Sequence, residues 1–282
     1  MLIRKPVVAG RFYPEEKKEL LKELKSSFDS VSSEFNKYIF KDDKIFGGIS
    51  PHAGYVFSGS AAASLYACID KELLKDPVFI ILGPDHTGLS RPLAVSDADY
   101  WETPLGKAKV SSYLKDKVKD IDHFELDEES HKHEHSIEVQ IPFIQYIMDD
   151  REFEILPVGV SIHEKESLKN AAKSLKRLFD TVTERDVIFI ISSDFSHYVS
   201  KEKARTLDMP AIDNIKEMES DRLFDYVYKN NISICGISPI LLFSYAFSDK
   251  VKGKLLKYTD SSAASPMDKV VAYASIIYLQ RG

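Results

Sequence analysis

The chain has 282 residues, of which 44% are hydrophobic and 29% are charged, and 38 Lys and Arg against 44 Asp and Glu give a formal net charge of −6. A mildly acidic chain with scattered basic residues lacks the positive patch of a nucleic-acid binder, and its apolar runs fall far short of the ~20 residues that a membrane-spanning helix needs. Two cysteines, and a first segment without a long apolar stretch, favour a reducing, cytoplasmic location. Because no linker or repeat interrupts the sequence, we expect a single domain over residues 1–282.

Short apolar runs rich in Ile, Val and Phe predict buried strands, and segments with helical spacing lie between them. In chain order the predicted elements are helix Pro14–Phe28, strand Ile45–Ile49, helix Ser60–Ile69, strand Val78–Leu82, helix Ser136–Met148, strand Phe153–Val160, helix Glu164–Phe179, strand Val187–Ser192, helix Ile212–Lys229 and strands Lys254–Tyr258 and Val271–Tyr278. Ser58 or Gly59 is placed to cap the second helix, and Pro142 predicts a kink or a later start of the third. Apolar strands that alternate with helices, followed by two strands at hairpin-like spacing, predict a three-layer α/β/α domain with a mixed, mostly parallel sheet.

Three of the predicted strands run directly into a short polar loop that carries a histidine. His52 follows the strand at Ile45, His86 follows the strand at Val78, and His197 follows the strand at Val187. In open α/β sheets ligands bind outside the carboxyl ends of the strands. If the three strands are parallel neighbours, these histidines share one edge of the sheet and form one site.

A fourth histidine-rich segment lies between Asp127 and Glu138. His131, His133 and His135 are spaced so that an extended strand could chelate a metal, but a polar turn that leads into a helix is the favoured interpretation of His131 and His133. His135 and Glu138 are three residues apart and would share a helical face. They are therefore the better candidates for the site.

The two cysteines differ in their surroundings. Cys68 lies between Ala67 and Ile69 in an alanine-rich helix and is most simply a small buried side chain. Cys235 lies at the apparent start of a later helix, where a thiolate is favoured, and a thiolate is both a metal ligand and a nucleophile. The residues leave two alternatives, a Cys/His metal site or a Cys235 nucleophile with His197 as its base. The metal site is slightly favoured because it gives the other histidines a role.

Taken together, these motifs resemble those of the Memo family, which includes the B component of the AmmeMemoRadiSam system. The matching segments are Ala9–Pro14, Ser50–Tyr55, Ile81–His86, Glu134–Glu138, Ser192–His197 and Ile234–Gly236. The resemblance implies a fold similar to the catalytic subunit of class III extradiol dioxygenases, which are non-haem iron enzymes. It also implies that His52, His86 and Cys235 are metal ligands, and that His135, Asp194 and His197 line the same pocket as catalytic residues.

One departure from the dioxygenases limits what this resemblance implies about activity. Their facial triad pairs two histidines with a carboxylate, whereas Cys235 stands here in the place of that carboxylate. A thiolate favours copper, or iron in another redox range, over zinc, so ring cleavage does not follow from the fold.

Three hypotheses about function remain. The first is an iron- or copper-dependent redox protein or oxygenase in which His197 is the acid/base and Asp194 orients it. The second is a non-catalytic module that binds a peptide or a small anion in the same pocket, and the third, the weakest, is a zinc hydrolase. The expected partners are an unknown small molecule or peptide and other AmmeMemoRadiSam proteins, such as a radical-SAM protein, but neither nucleic acid nor membrane.

Overall fold

The computed structural model describes residues 1–36, 39–40, 43–88 and 90–281. The strands in these ranges are β1 Ile3–Arg4, β2 Ile45–Ser50, β3 Val78–Pro84, β4 Leu93–Val95, β5 Tyr100–Thr103, β6 Gly106–Val110, β7 Phe124–Leu126, β8 Glu154–Val160, β9 Val187–Ser192, β10 His197–Val199, β11 Val251–Asp260 and β12 Val270–Gln280. The α-helices are α1 Lys17–Asp29, α2 Tyr55–Tyr66, α3 Ser112–Val118, α4 Ile141–Met148, α5 Lys165–Asp180, α6 Lys201–Lys216, α7 Ser220–Lys229 and α8 Ile237–Phe247. Within these residues no helix combines the length and the apolar character that crossing a membrane requires.

The strands form one large sheet in the order β1-β5-β6-β8-β3-β9-β2-β12-β10. Its centre, from β6 to β2, is parallel, whereas β12 pairs antiparallel with β2, β10 and β11. The central strands β3 and β9 are buried along their whole length. Strands covered on both faces read as continuous apolar runs, which is why the sequence identified them. The predicted mixed, mostly parallel α/β sheet is confirmed.

Each face of the sheet carries its own hydrophobic core. Along β3, Ile80 and Leu82 point into a core shared with α3, α5, α6, α7 and α8. Phe79 and Ile81 point the other way, into a core shared with α1, α2 and α4. Alternate residues of a strand face opposite sides of a sheet. The result is the predicted three-layer α/β/α arrangement.

Two of the predicted helices differ clearly from the observed ones. Helix α2 begins at Tyr55, directly after Gly54, so neither Ser58 nor Gly59 is its N-cap. At this start the backbone N–H of Tyr55 donates to the carbonyl of Phe12 in the N-terminal segment. The predicted helix Ile212–Lys229 covers only the end of α6, which begins already at Lys201, together with α7, and the two helices are separated near Met218, whose φ of 59° no helix allows.

Other features at helix starts agree with the prediction. Pro142 lies in the first turn of α4 and marks a later start, where its missing N–H costs nothing. The helix expected after Cys235 is α8, which begins at Ile237.

Candidate metal centre

The carboxyl ends of three central strands place two histidines side by side. Strand β9 lies between β2 and β3 and is parallel to both, with Ser50 opposite Ser192 and Leu82 opposite Ile191. The loops that follow β2 and β3 therefore leave the same edge of the sheet. They bring the ring centres of His52 and His86 to 5.2 Å from each other. The strand–loop–histidine pattern correctly predicted this shared edge.

Cys235 completes a group of three donor atoms at this edge. One ring nitrogen each of His52 and His86 and the Sγ of Cys235 lie within 4.8 Å of one another. The Sγ of Cys235 is 3.1 Å from Nε2 of His52. Burial raises the pKa of the Cys235 thiol and lowers the pKa of His52, so in the metal-free protein the pair is a neutral thiol and a neutral imidazole.

The segment that carries Cys235 approaches the end of β9 very closely. The backbone N–H of Gly236 donates to Oγ of Ser193 at 3.0 Å. A Cβ at position 236 would lie 2.4 Å from Cβ of Ser193 and 2.5 Å from the carbonyl oxygen of Ser192. Glycine is therefore required here for Cys235 to reach the histidines.

His86 is held by a buried carboxylate that the sequence did not identify as a functional residue. Glu134 accepts the backbone N–H of His86 at 2.7 Å, and its Oε1 lies 3.0 Å from Nδ1 of His86. The same oxygen accepts the backbone N–H groups of His135 and Ser136, both at 2.8 Å. Burial opposes ionisation of Glu134, but the hydrogen bonds from His86 and the backbone outweigh it and hold the pKa of this carboxyl far below its usual range. An ionised carboxylate accepts hydrogen bonds only, so Nδ1 of His86 carries a proton and Nε2 is free to bind a ligand.

His135 is the third histidine of the cluster. Its ring stacks on His86 at 4.8 Å between ring centres, lies 5.6 Å from His52, and meets the edge of Phe12 at 4.7 Å. Burial lowers its pKa, and the charge of Glu134 opposes part of that effect. His135 therefore faces the two proposed ligands as a neutral, partly exposed imidazole.

Glu138 does not lie in the site, and the expectation that it accompanies His135 is wrong. Its fully buried carboxylate forms an ion pair with Arg4 at 2.6 Å and accepts the hydroxyl of Tyr13 at 2.7 Å. It also accepts the backbone N–H groups of Val7 and Val8. These contacts use its oxygens and fasten the N-terminal segment to the protein.

The other two histidines of that segment lie away from the cluster. His131 is fully buried, its Nε2 donates to the carbonyl of Ala94 at 3.0 Å, and its ring packs against Trp101. His133 is exposed to solvent. This agrees with the favoured interpretation that neither belongs to a chelating strand.

Asp194 connects two of the ligand segments. Its Oδ1 accepts the backbone N–H of His52 at 2.8 Å, and its own backbone N–H lies 3.0 Å from the Sγ of Cys235. Burial raises the pKa of Asp194 to about 6, although the hydrogen bond from His52 opposes this. Asp194 therefore holds the protein backbone around the donor atoms.

His197 is partly exposed and follows the carboxyl end of β9, the strand that lies between β2 and β3. Its Nδ1 donates to the carbonyl of Ser233 at 2.8 Å. Ser233, and not Asp194 as expected, therefore orients the ring of His197. Its carbonyl accepts the proton on Nδ1, which leaves Nε2 free.

Cys68 is buried in the turn after α2, and its Sγ donates to the carbonyl of Ser64 at 3.3 Å. Burial raises the pKa of this thiol to about 12. It behaves as the small buried side chain that the sequence predicted.

The fold and the site define an α/β protein with a mixed sheet and a His/His/Cys group at the carboxyl ends of its central strands. A family model described as a Memo-like protein matches residues 4–277. The chain belongs to the Memo family.

Curated relatives cover nearly the whole chain. A MEMO1 family protein of Methanosarcina mazei is 38% identical over 281 residues, which is 98% of this chain and 99% of that protein. Another, from Aquifex aeolicus, is 35% identical and covers 99% of this chain and 100% of its own length. Among solved structures, an uncharacterized protein from Escherichia coli K12 superposes with a TM-score of 0.52 over 73% of this chain and 88% of that chain. At 12% sequence identity this likeness concerns the fold alone.

Proposed function

We propose that this protein is a metal-dependent redox protein or oxygenase that holds iron or copper through Nε2 of His52, Nε2 of His86 and Sγ of Cys235. The observation that supports it is the convergence of one ring nitrogen from each histidine and the Sγ of Cys235, all within 4.8 Å of one another. Small side-chain movements bring such a group to the ~2.0–2.3 Å bonds that protein nitrogen and sulfur make to transition metals.

The chemistry of the donor set agrees with this proposal. His86 has the carboxylate partner that metal-binding histidines commonly have, here Glu134. Two imidazoles and one thiolate form a set suited to copper or iron, and zinc is the less favoured alternative. Because burial raises the pKa of Cys235, metal binding must displace a proton from the thiol. Binding should therefore weaken as the pH falls.

Iron or copper would supply the one-electron chemistry that amino-acid side chains lack. The chain itself offers His197, whose Nε2 is free while Ser233 fixes Nδ1, as a group that takes up or releases a proton. Asp194 keeps the segments of His52 and Cys235 in place. His135 stacks on His86 and can donate to or accept from a bound molecule.

The proposed substrate is a small molecule or peptide, and aromatic ring cleavage is not expected because Cys235 occupies the place of the triad carboxylate. The proposed protein partners are other members of the AmmeMemoRadiSam system, in the cytoplasm. The alternative function, a non-catalytic module for a peptide or small anion, uses the same pocket without a resident metal.

The test is the metal content and absorption spectrum of protein purified without oxygen and without added metal. We expect iron or copper near one ion per chain, with thiolate charge-transfer bands. Cys235→Ser should remove those bands and weaken metal binding by at least about tenfold. Cys68→Ala is the matched control, and its metal binding should equal that of the wild type. Stoichiometric zinc without such bands would favour the hydrolase, and a folded, metal-free protein would favour the binding module.

A further inference from the structure

A buried glutamine that takes no part in the proposed ligand set lies behind His52. Gln140 is fully buried, and its Nε2 is 2.9 Å from the carbonyl oxygen of Pro51 and 2.9 Å from Oγ of Ser192. A carbonyl oxygen can accept but never donate a hydrogen bond, so the Pro51 contact identifies this end of the side chain as the amide NH₂. The other end agrees, because Oε1 accepts the hydroxyl of Tyr66 at 2.9 Å. Both ends of Gln140 are thus fixed.

Ser192 is the link between this glutamine and His52. Its hydroxyl is 2.7 Å from the carbonyl oxygen of Ser136, 2.9 Å from Nε2 of Gln140 and 2.9 Å from Nδ1 of His52. A hydroxyl has one proton to donate and two lone pairs to accept with. In this arrangement the hydroxyl proton points at Ser136, whose carbonyl only accepts, while the amide proton of Gln140 occupies one lone pair and holds the hydroxyl in that rotamer. The remaining lone pair faces His52, so Nδ1 of His52 must be the protonated nitrogen.

We propose that Gln140 is a positioning residue that, through Ser192, holds His52 in the tautomer with its proton on Nδ1 and thereby keeps the Nε2 lone pair directed at Cys235. The inference rests on the proposed function in that this lone pair is the one that would bind the metal. The opposite tautomer would carry a proton on Nε2, 3.1 Å from the Sγ of Cys235. That proton would block the bond from His52 to the metal.

The glutamine matters because Ser192 by itself does not decide the tautomer. Without the amide proton of Gln140, only the carbonyl of Ser136 competes for the hydroxyl proton, and the hydroxyl can rotate to donate to Nδ1 of His52 instead of accepting from it. The neighbouring ligand does not share this dependence, because Glu134 fixes His86 directly. A change at position 140 should therefore affect one histidine and leave the other as it was.

The test uses full-length, metal-free protein with ¹⁵N-labelled histidine, since nitrogen chemical shifts distinguish the two tautomers. His52→Asn and His86→Asn variants assign the two sets of signals. The test variants are Gln140→Met, which keeps the length but has no donor, and Ser192→Ala. Tyr66→Phe is the matched control, because it removes the buried hydrogen bond that Oε1 of Gln140 accepts and leaves the NH₂ group of Gln140 in place. Co²⁺ titration under anaerobic conditions measures metal affinity in each variant.

We expect wild-type His52 to carry its proton on Nδ1. Gln140→Met and Ser192→Ala should introduce the Nε2-protonated form of His52, leave the His86 signals in place and weaken Co²⁺ binding by about 10–100-fold, the usual effect of losing such a partner. Tyr66→Phe should keep the wild-type tautomer.

Three results would overturn the proposal: a wild-type His52 protonated on Nε2, a Gln140→Met protein with wild-type signals, or equal changes at His52 and His86. If Gln140→Met does not fold, a wild-type tautomer in Ser192→Ala would also overturn it. A wild-type protein that binds no Co²⁺ but shows the expected tautomer dependence would refute the proposed function and uphold the role of Gln140.

Discussion

The carboxylate of Glu134 is the group whose loss should damage the proposed metal centre most without removing a ligand. In Glu134→Gln one oxygen becomes an NH₂ group. The oxygen must stay at the Oε1 position, because two backbone N–H groups, those of His135 and Ser136, point at it. The new NH₂ then occupies the Oε2 position, 2.7 Å from the backbone nitrogen of His86. Two donors face each other there, and the backbone N–H of His86 loses its acceptor.

The size of the effect follows from these contacts. The backbone N–H of His86 is partly buried, so the loss of its acceptor should cost about 1 kcal/mol of folding free energy, the lower end of the range for a buried group. The new NH₂ also lies 3.2 Å from Nδ1 of His86, where it can donate to that nitrogen and move the ring proton to Nε2. Losing the orienting partner of a metal-binding histidine lowers metal affinity by about 10–100-fold, which is about 1.4–2.7 kcal/mol.

Both quantities can be measured on the same preparations, by Co²⁺ titration without oxygen and by denaturant unfolding of the metal-free protein. Glu154→Gln is the matched control: Glu154 is also a largely buried carboxylate, but it lies at the start of β8, at the opposite edge of the sheet, where it pairs with Lys109 and Arg185. The Glu154→Gln protein should be less stable than the wild type and should bind Co²⁺ with the same affinity. If Glu134→Gln binds Co²⁺ as tightly as the wild type, Glu134 does not support a metal ligand and the reasoning fails.

Four further outcomes can be checked by unfolding experiments. Burial would raise the pKa of Glu154, but its hydrogen bonds to basic side chains lower this pKa to about 2, below that of the unfolded chain. The ionised carboxylate therefore contributes about 1–2 kcal/mol of folding stability after solvent screening. This stability is present above about pH 4.5 and is lost as the pH falls toward 2, and Glu154→Gln should not show that loss. Burial lowers the pKa of His131 to about 4, so the wild type should lose up to about 3 kcal/mol between pH 6.5 and 4, and His131→Gln should flatten that slope; an unchanged slope would contradict the assignment. Arg4→Met leaves the carboxylate of Glu138 buried without its partner and should cost about 3–5 kcal/mol, measured as a fall in the unfolding free energy; a loss below 1 kcal/mol would show that water or another group replaces the arginine. Cys68→Ala removes a small buried side chain and should lower the unfolding free energy by only about 1 kcal/mol. If this variant lost as much metal as the Cys235 variant, the distinction between the two cysteines would fail.

The central sheet was predictable because its strands are buried on both faces. The runs at Val78 and Val187 are continuous and apolar, and both become strands within two residues of the predicted ends. The short strands could not be found in the same way. Strand β6, for example, has five residues, includes two lysines and is buried at two positions. Its pairing with β8 comes from the tertiary structure, not from a local pattern.

The candidate site was predictable in its donor atoms and not in the groups behind them. His52 and His86 each follow a recognisable strand, and Cys235 stands out as one of two cysteines. Glu134 is one acidic residue among several in its segment, and Gln140 looks like an ordinary helical residue. Their importance depends on which hydrogen-bond donors and acceptors face them after folding, and no spacing rule in one sequence contains that information.

The three segments that carry the proposed ligands are also joined to one another by hydrogen bonds between protein groups. Asp194 accepts the backbone N–H of His52, the backbone N–H of Asp194 points at the Sγ of Cys235, and Ser193 accepts the backbone N–H of Gly236. Each of these bonds joins residues more than 40 positions apart in the chain. In a structural zinc site the ion itself does this work, and the free energy of binding is the free energy of folding. Here the hydrophobic cores and these cross-links position the donor atoms, so the proposed metal would be able to change its oxidation state or its outer ligands while the surrounding protein stays folded.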